Sequence, residues 1–282
     1  MLVPMKEMLV AAKNGGYAVP GFNYYDQATV DGIVEEAEAQ GSPTVLMVSA
    51  VYLESLGFEL TCALAFQAAK RAKTPVAVHL DHGNTFELAE ACVNAGFTSV
   101  MIDGSHHPFA ENVELTRRVV KMAHAKGVTV EAELGAVGGV EDVDDDGVAG
   151  KLVLIDPNQA KEYVEKTGID ALAPAIGNVH GLTKVEPRLD IPLLAKVRAA
   201  VDVPLVMHGG SGIGDDTVRL LIKTGMNKLN IGTELKVAWK KGLCAYFETG
   251  KFEPRMGMQA AKECVKDTVR HKIDIAGSAG KA

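Results

Sequence analysis

From one end of the chain to the other, short runs of β-branched and aliphatic residues alternate with longer stretches whose apolar residues recur three and four apart. The strand-like runs are Ala18–Phe22, Thr44–Ser49, Val76–Asp81, Ser99–Asp103, Val128–Leu134, Ala171–Ala175, Leu205–His208 and Lys228–Ile231. Helical periodicity falls between them, as in Asp26–Gln40, Phe86–Asn94, Glu111–Lys126 and Asp190–Val201, and Met258–Ile275 reads as a further helix near the C-terminus. Strands alternating with helices predict βαβ units and a parallel sheet. Eight of them, on a chain of 282 residues, match the number and length that close a TIM (β/α)8 barrel; a doubly wound open sheet is the main alternative. The alternation inside the strands favours the barrel. Ala77, His79 and Asp81 share one face opposite Val76, Val78 and Leu80, and Thr129, Glu131 and Glu133 share one opposite Val130, Ala132 and Leu134. Strands covered by helices on both faces would read as near-continuous apolar runs. Here one face turns polar toward the strand end, as the inner wall of a barrel leading to a catalytic mouth would.

One stretch fits neither period. Gly135–Leu152 (GAVGGVEDVDDDGVAGKL) is rich in glycine and aspartate, and a loop of that length within a barrel reads as a functional lid. No linker divides the chain, so residues 1–282 are read as one barrel domain. Hydrophobic residues make up 47% and charged residues 23%, as in ordinary globular proteins. A net charge of −7 with no basic block argues against a nucleic-acid or membrane-surface binder. No apolar run is long enough to span a bilayer. Lys6 and Glu7 interrupt any signal-peptide layout at the N-terminus, and the four cysteines form no CxxC pair. Free thiols of this kind fit a reducing cytoplasm.

The candidate chemistry lies at strand ends. His82, His180 and His208 each close an apolar run and each precedes a glycine, in HLDHG, IGNVHG and PLVMHGG. Singly, such a histidine is most simply a capping or hydrogen-bonding residue. Three in the same context, at the face where parallel barrels build their sites, suggest an open metal centre; nitrogen ligands with a vacancy suit Zn2+. Asp81 places a carboxylate beside it, fit to move a proton. Asp103 and Glu133 either orient the ligating histidines or form a second metal position. The Gly209–Gly210–Ser211–Gly212 turn and the Asn230–Ile231–Gly232–Thr233 segment follow strands seven and eight, where TIM barrels frequently bind phosphate at helix N-termini. Glu141, on the long loop, is a candidate acid for a carbon-bound proton. His79 is expected deeper in the barrel, His106 and His107 in a loop, and His124 and His271 on helix surfaces.

Taken together, YAVPGFN, HLDHG, MIDGSHHPFAENVE, VEAELGAVGGVED, AIGNVHG, PLVMHGGSGI and NIGTELK resemble the class II, metal-dependent ketose-bisphosphate aldolases over nearly the whole chain. The resemblance implies a TIM barrel. It also implies reversible cleavage of a ketose 1,6-bisphosphate to dihydroxyacetone phosphate and glyceraldehyde 3-phosphate through a zinc-stabilised enediolate. By position, His82, His180 and His208 match zinc ligands, Asp81 the acid/base for the C4 hydroxyl, Glu141 the loop acid, and Asp103 and Glu133 an alternative or second divalent site. Asn23, Gly181, Gly209, Gly210, Ser211, Asn230, Ile231, Gly232 and Thr233 match the substrate-binding positions. Gly181 and the Gly209–Ser211 turn also resemble a monovalent cation (Na+ or K+) site. Arg255 is the candidate for the distal phosphate, in a segment shorter than in relatives. The family implies a cytoplasmic homo-oligomer, dimer or tetramer, and tagatose-type members can need an accessory subunit.

The sugar is less sharply written. Asn178-Val179-His180 and GGSGI lean toward fructose-type relatives, whereas Gly232 and the TELK that follows lean toward tagatose-type ones; fructose is preferred. Aldolases of related phosphorylated keto-sugars or deoxy-acids, a metal-dependent epimerase, and a non-catalytic sugar-phosphate binding protein are the other readings. A class I enzyme would need a Schiff-base lysine. Strand six carries none, although Lys228 lies on strand eight.

Overall fold

The computed structural model describes residues 1–139, 152–183 and 185–282. Eight parallel strands form a closed barrel in sequence order: β1 (Val19–Asn23), β2 (Thr44–Ser49), β3 (Val76–Gly83), β4 (Ser99–Ile102), β5 (Thr129–Leu134), β6 (Ala171–Pro174), β7 (Leu205–Met207) and β8 (Met226–Ile231). β8 closes on β1 through Val19–Lys228 and Gly21–Asn230. The open-sheet alternative is thereby excluded. The largest departures from the expected strand bounds are two residues each: β8 starts at Met226 rather than Lys228, and β3 runs on to Gly83 rather than ending at Asp81.

The expected helices appear as α2 (Gln27–Ala39), α5 (Phe86–Ala95), α6 (Phe109–His124), α8 (Ile191–Ala200) and α11 (Pro254–Ala276). Their starts follow ordinary capping chemistry. Asp26 and Thr29 form a capping box on α2, and Thr85, Asp190 and Glu253 accept first-turn amides of α5, α8 and α11. The ring also contains α3 (Ala50–Leu56), α4 (Phe58–Arg71), α7 (Pro157–Thr167), α9 (Asp215–Thr224) and α10 (Thr233–Glu248). α11 lies across α2 and α10. Gly242 lets it approach, since a Cβ there would stand 2.4 Å from the Ala260 carbonyl oxygen, and Arg270 bonds both oxygens of buried Glu36 at 2.8 and 2.9 Å.

Strand alternation divides the core in two. Outward residues such as Phe22, Leu46, Val78, Val100, Val130 and Leu229 join the layer between barrel and helices. Inward residues Val19, Val45, Met47, Ala77, Ala171 and Val206 form a smaller cluster. That inner cluster includes Met5, Met8, Leu9 and Ala12 of α1 (Met5–Gly15), which plugs the N-terminal end of the barrel. The periodicity argument did not identify this helix. Above the plug, the interior turns polar: His79, Ser99, Glu131 and Lys228 are all fully buried. Of the long loop, Ala136 pairs with Val153 and Gly138 with Val179; the rest of it, and with it the lid reading, lies outside the described residues. Among the described residues, no helix is long and apolar enough to cross a membrane.

Candidate active site

The first ligand candidate owes its place to a break in strand geometry. Successive strand residues point to opposite faces, so Asp81 and His82 could not both face the mouth of a regular strand. The β3–β4 register shifts between Leu80 and Gly83, and His82 takes φ 47°, the only positive value among non-glycine residues in the described chain. This bulge re-aims the side chain at a cost of about 1–2 kcal/mol for the left-handed backbone. Gly83 makes room for it: a Cβ there would meet Leu80 and the Met101 carbonyl at 2.6 and 2.7 Å.

His82, His180 and His208 converge. Their candidate ligand atoms all lie within 4.8 Å of one another, and so do those of His82, Asp103 and Glu133. The ring of His82 sits 4.9 Å from that of His180 and 4.6 Å from that of His208. His82 Nδ1 is fixed by Asp103 Oδ2 at 2.8 Å. The Asn178 amide holds the two adjoining loops together: its Nδ2 donates to the His208 carbonyl at 3.1 Å, and its Oδ1 accepts from Ile176 N at 2.9 Å. Buried His180 Nε2 has no hydrogen-bond partner among the described residues, an arrangement that costs free energy unless something binds there. Burial and the neighbouring His82 and His208 hold the His180 pKa well below its usual value, which keeps a lone pair ready. Three imidazoles with an orphaned nitrogen among them fit a divalent transition metal.

His208 behaves differently in the metal-free protein. Burial would lower its pKa, but Glu131 on Nε2 at 2.9 Å and Glu133 on Nδ1 at 3.0 Å raise it to about 9. Asp103 is opposed by burial but held far below the carboxylate range by His82 and Ser105. Asp81 is likewise buried, and His82 and Lys228 keep its pKa low despite the desolvation. Each of its oxygens meets one amide: Asn23 Nδ2 at 2.8 Å and Asn230 Nδ2 at 3.4 Å. Asn23 and Asn230, read from the sequence as substrate contacts, are here the groups that hold Asp81. Asn230 Oδ1 remains buried without a partner among the described residues.

The glycine turns are also brought in. Gly209, at φ 66°, sits so close to the Val179 carbonyl that a Cβ would lie at 2.2 Å. Gly181 is left-handed with open space beside it. Two turn amides are already committed: Gly210 N to the Asn230 carbonyl at 2.9 Å, and Gly212 N to Glu234 Oε1 at 2.6 Å. Ser211 Oγ accepts Glu234 N at 3.2 Å, which leaves its own hydrogen to donate. Thr233 opens α10, with Gly232 as its N-cap beside Asn23 and Tyr25. Ile231 can offer only backbone, because its side chain packs in the outer apolar layer. Arg255 lies at the start of α11, its exposed guanidinium bonding Glu253 at 2.9 Å. Glu141 lies outside the described residues. The remaining histidines fall as expected: His79 is fully buried, and His124 and His271 pair with Asp170 and Asp215.

Two groupings escaped the sequence reading. One is the buried Glu131–Lys228 pair beneath His208. The other is Lys272 of α11, which grips both oxygens of Glu234 at 2.8 Å and so braces the Gly212 turn. Alternation had put Glu131 on the inner face. Lys228 and Asn230 alternate likewise in MNKLNI, and a buried carboxylate calls for a cation; that was the available signal.

A three-histidine centre at the C-terminal mouth of a (β/α)8 barrel, with an ionised aspartate against it, defines a metal-dependent barrel enzyme. Residues 3–281 match the family model described as "Fructose-bisphosphate aldolase class-II". Fructose-bisphosphate aldolases of Staphylococcus epidermidis and Geobacillus stearothermophilus are 42% and 43% identical to it over 286 aligned residues, covering 100% of this chain and 99% of each relative. The crystal structure of the YdjI aldolase from Escherichia coli K12 superposes with a TM-score of 0.89 at 35% identity, over the full length of both chains. The chain belongs to the class II fructose-bisphosphate aldolase family and is a metal-dependent aldolase, a lyase.

Proposed function

We propose that this single barrel unit catalyses the reversible cleavage of fructose 1,6-bisphosphate to dihydroxyacetone phosphate and glyceraldehyde 3-phosphate. The observation that carries the reading is Asp81, a buried carboxylate kept ionised between Asn23 and Asn230, beside three converging histidines. Cleavage needs a base for the C4 hydroxyl hydrogen, and Asp81 Oδ is that base. A divalent metal, zinc by donor set, would be held by His82, His180 and His208 and would supply Lewis acidity for the charge that develops on the ketone carbon's oxygen. Asp103 fixes the His82 ring from behind, and Glu133 is the residue through which a second metal position would form. Ser211, with the backbone of Gly209, Gly210 and Ile231–Thr233, would take the phosphate of the dihydroxyacetone half, aided by the α9 and α10 N-termini. Carbonyls of Gly181 and of the Gly209–Ser211 turn would bind a monovalent cation there. Glu141 is assigned the carbon-bound proton from the sequence match alone. Curated relatives that are fructose-bisphosphate aldolases support the sugar.

The test is cleavage of fructose and tagatose 1,6-bisphosphates in parallel, followed by triose phosphate release with chelator and with zinc added back. Zinc-dependent cleavage with a higher kcat/KM for fructose supports the reading. A preference for tagatose would reassign the sugar, and cleavage of neither by zinc-loaded protein would remove both. Sedimentation of the same sample tests the proposed homo-oligomer.

A further inference from the structure

TIM-barrel interiors are filled chiefly by branched apolar side chains, yet one layer of this barrel is ionic. Glu131, Lys228, His79 and Ser99 all have no exposed surface. Lys228 Nζ crosses from β8 to Glu131 Oε2 on β5 at 2.8 Å. Its path runs past Gly21, where a Cβ would stand 3.4 Å from Lys228 Cε. His79 Nδ1 is tied to Ser99 Oγ at 2.8 Å, and its Nε2 lies 3.9 Å from Glu131 Oε2. A buried ion pair adds little stability over apolar residues of similar volume, so stability does not account for the choice. The other Glu131 oxygen does: Oε1 meets His208 Nε2 at 2.9 Å.

We infer that Glu131 and Lys228 are positioning residues, which hold His208 by Nε2 and present Nδ1 to the divalent metal. The inference rests on the metal reading of the preceding section. Glu131 lies two residues before Glu133 on β5, hence about 6–7 Å deeper in the barrel. Nε2 therefore faces the floor. Nδ1 faces Glu133, on the side where His82 and Asp103 gather. A neutral imidazole has one donor and one lone pair. Donation of the Nε2 hydrogen to Glu131 leaves the lone pair on Nδ1, and the carboxylate makes that nitrogen a stronger ligand. Lys228 occupies the second Glu131 oxygen and balances its charge, so this carboxylate stays below the site. The pairing also closes Lys228 to substrate, which removes it as a Schiff-base nucleophile.

The test reads metal binding without substrate. Zinc affinity would be measured by competition against a chelator of known affinity, and the visible spectrum of Co2+-loaded protein would report ligand geometry. Glu131→Leu with Lys228→Met exchanges the pair for apolar residues of similar volume and should keep the far-UV circular dichroism of the parent. Its affinity should fall roughly 10- to 100-fold, with altered Co2+ bands. Glu131→Gln, which keeps shape but not charge, should fall roughly 10-fold. A folded double variant that binds zinc within about twofold of the parent, with the same Co2+ spectrum, overturns the inference. So does unchanged affinity in Glu131→Gln, which decides the matter should the double variant not fold. His208→Ala separates the two readings: unchanged zinc affinity there would sink the metal assignment itself.

Discussion

Asp81 can act as a base only if it is charged before substrate arrives, and in a site this dry that requires donors on both oxygens. Asn23 and Asn230 supply them. Asp81→Asn removes the charge but keeps the shape, so the three histidines should still bind metal while kcat falls roughly 10²- to 10⁴-fold. Steady-state kinetics beside metal analysis checks this; near-normal turnover in a zinc-loaded variant would remove Asp81 from the proton path. At this scale the sequence was informative where residue type and strand position coincide. His82 stood near the end of β3 and His208 directly after β7, whereas His180, expected at a strand end, lies six residues beyond β6 in the loop that follows it; Asp103 and Glu133 lay on the inner face. The bulge at His82 was not legible, because alternation alone places residues 81 and 82 on opposite walls. Nothing local to HLDHG states that Gly83 must pack against Leu80 and the Met101 carbonyl. Contacts across strands also decide that Asn23 and Asn230 grip Asp81, and these follow only from closure of the barrel.

Two elements outside the eight β/α pairs bear on the site. α1 seals the barrel floor with Met5, Met8, Leu9 and Ala12; the sequence reading missed it, since what it covers is the open end of a barrel. Met5 is fully buried and also touches Ser99 Oγ through sulfur at 3.6 Å. Met5→Ala should destabilise the protein by about 2–5 kcal/mol, measured by urea unfolding, with zinc affinity unchanged; a loss below ~0.5 kcal/mol would mean the plug is not part of the packed core. α11 was foreseen as a helix, but its reach to the phosphate turns was not, because Lys272 meets Glu234 only across the α10–α11 crossing. Lys272→Met should free Glu234 from the Gly212 turn and raise KM for a bisphosphate substrate roughly fivefold, about 1 kcal/mol, with less effect on kcat. A fall in melting temperature with KM unchanged would make the brace structural only.

For the molecule as a whole, the apolar layers and the metal centre carry separate tasks. The barrel-to-helix layer and the α1 plug are built chiefly from apolar side chains, with ion pairs such as Lys6–Asp170 and Arg270–Glu36 at their edges. In the metal-free state the histidines are not left unsupported: Asp103 holds His82, and Glu131 and Glu133 hold His208. The eightfold periodicity of the chain could be read in advance because it reports this apolar architecture, which depends on local patterning. The ionic floor could not, because Glu131 and Lys228 are 97 positions apart and meet only in the closed barrel. Metal removal should therefore abolish turnover and leave the fold intact, unlike a structural zinc site whose loss unfolds the chain. Binding to the folded state alone stabilises by about 2.7 kcal/mol at free zinc 100 times Kd, or roughly 5–10 °C in Tm for a chain of this size. Scanning calorimetry with chelator and with zinc restored checks both parts. Cooperative melting in chelator, lower by that interval and recovered with zinc, is the expected outcome. Loss of the transition in chelator would make the metal part of the fold, and an unshifted Tm at saturating zinc would mean that the histidines bind none.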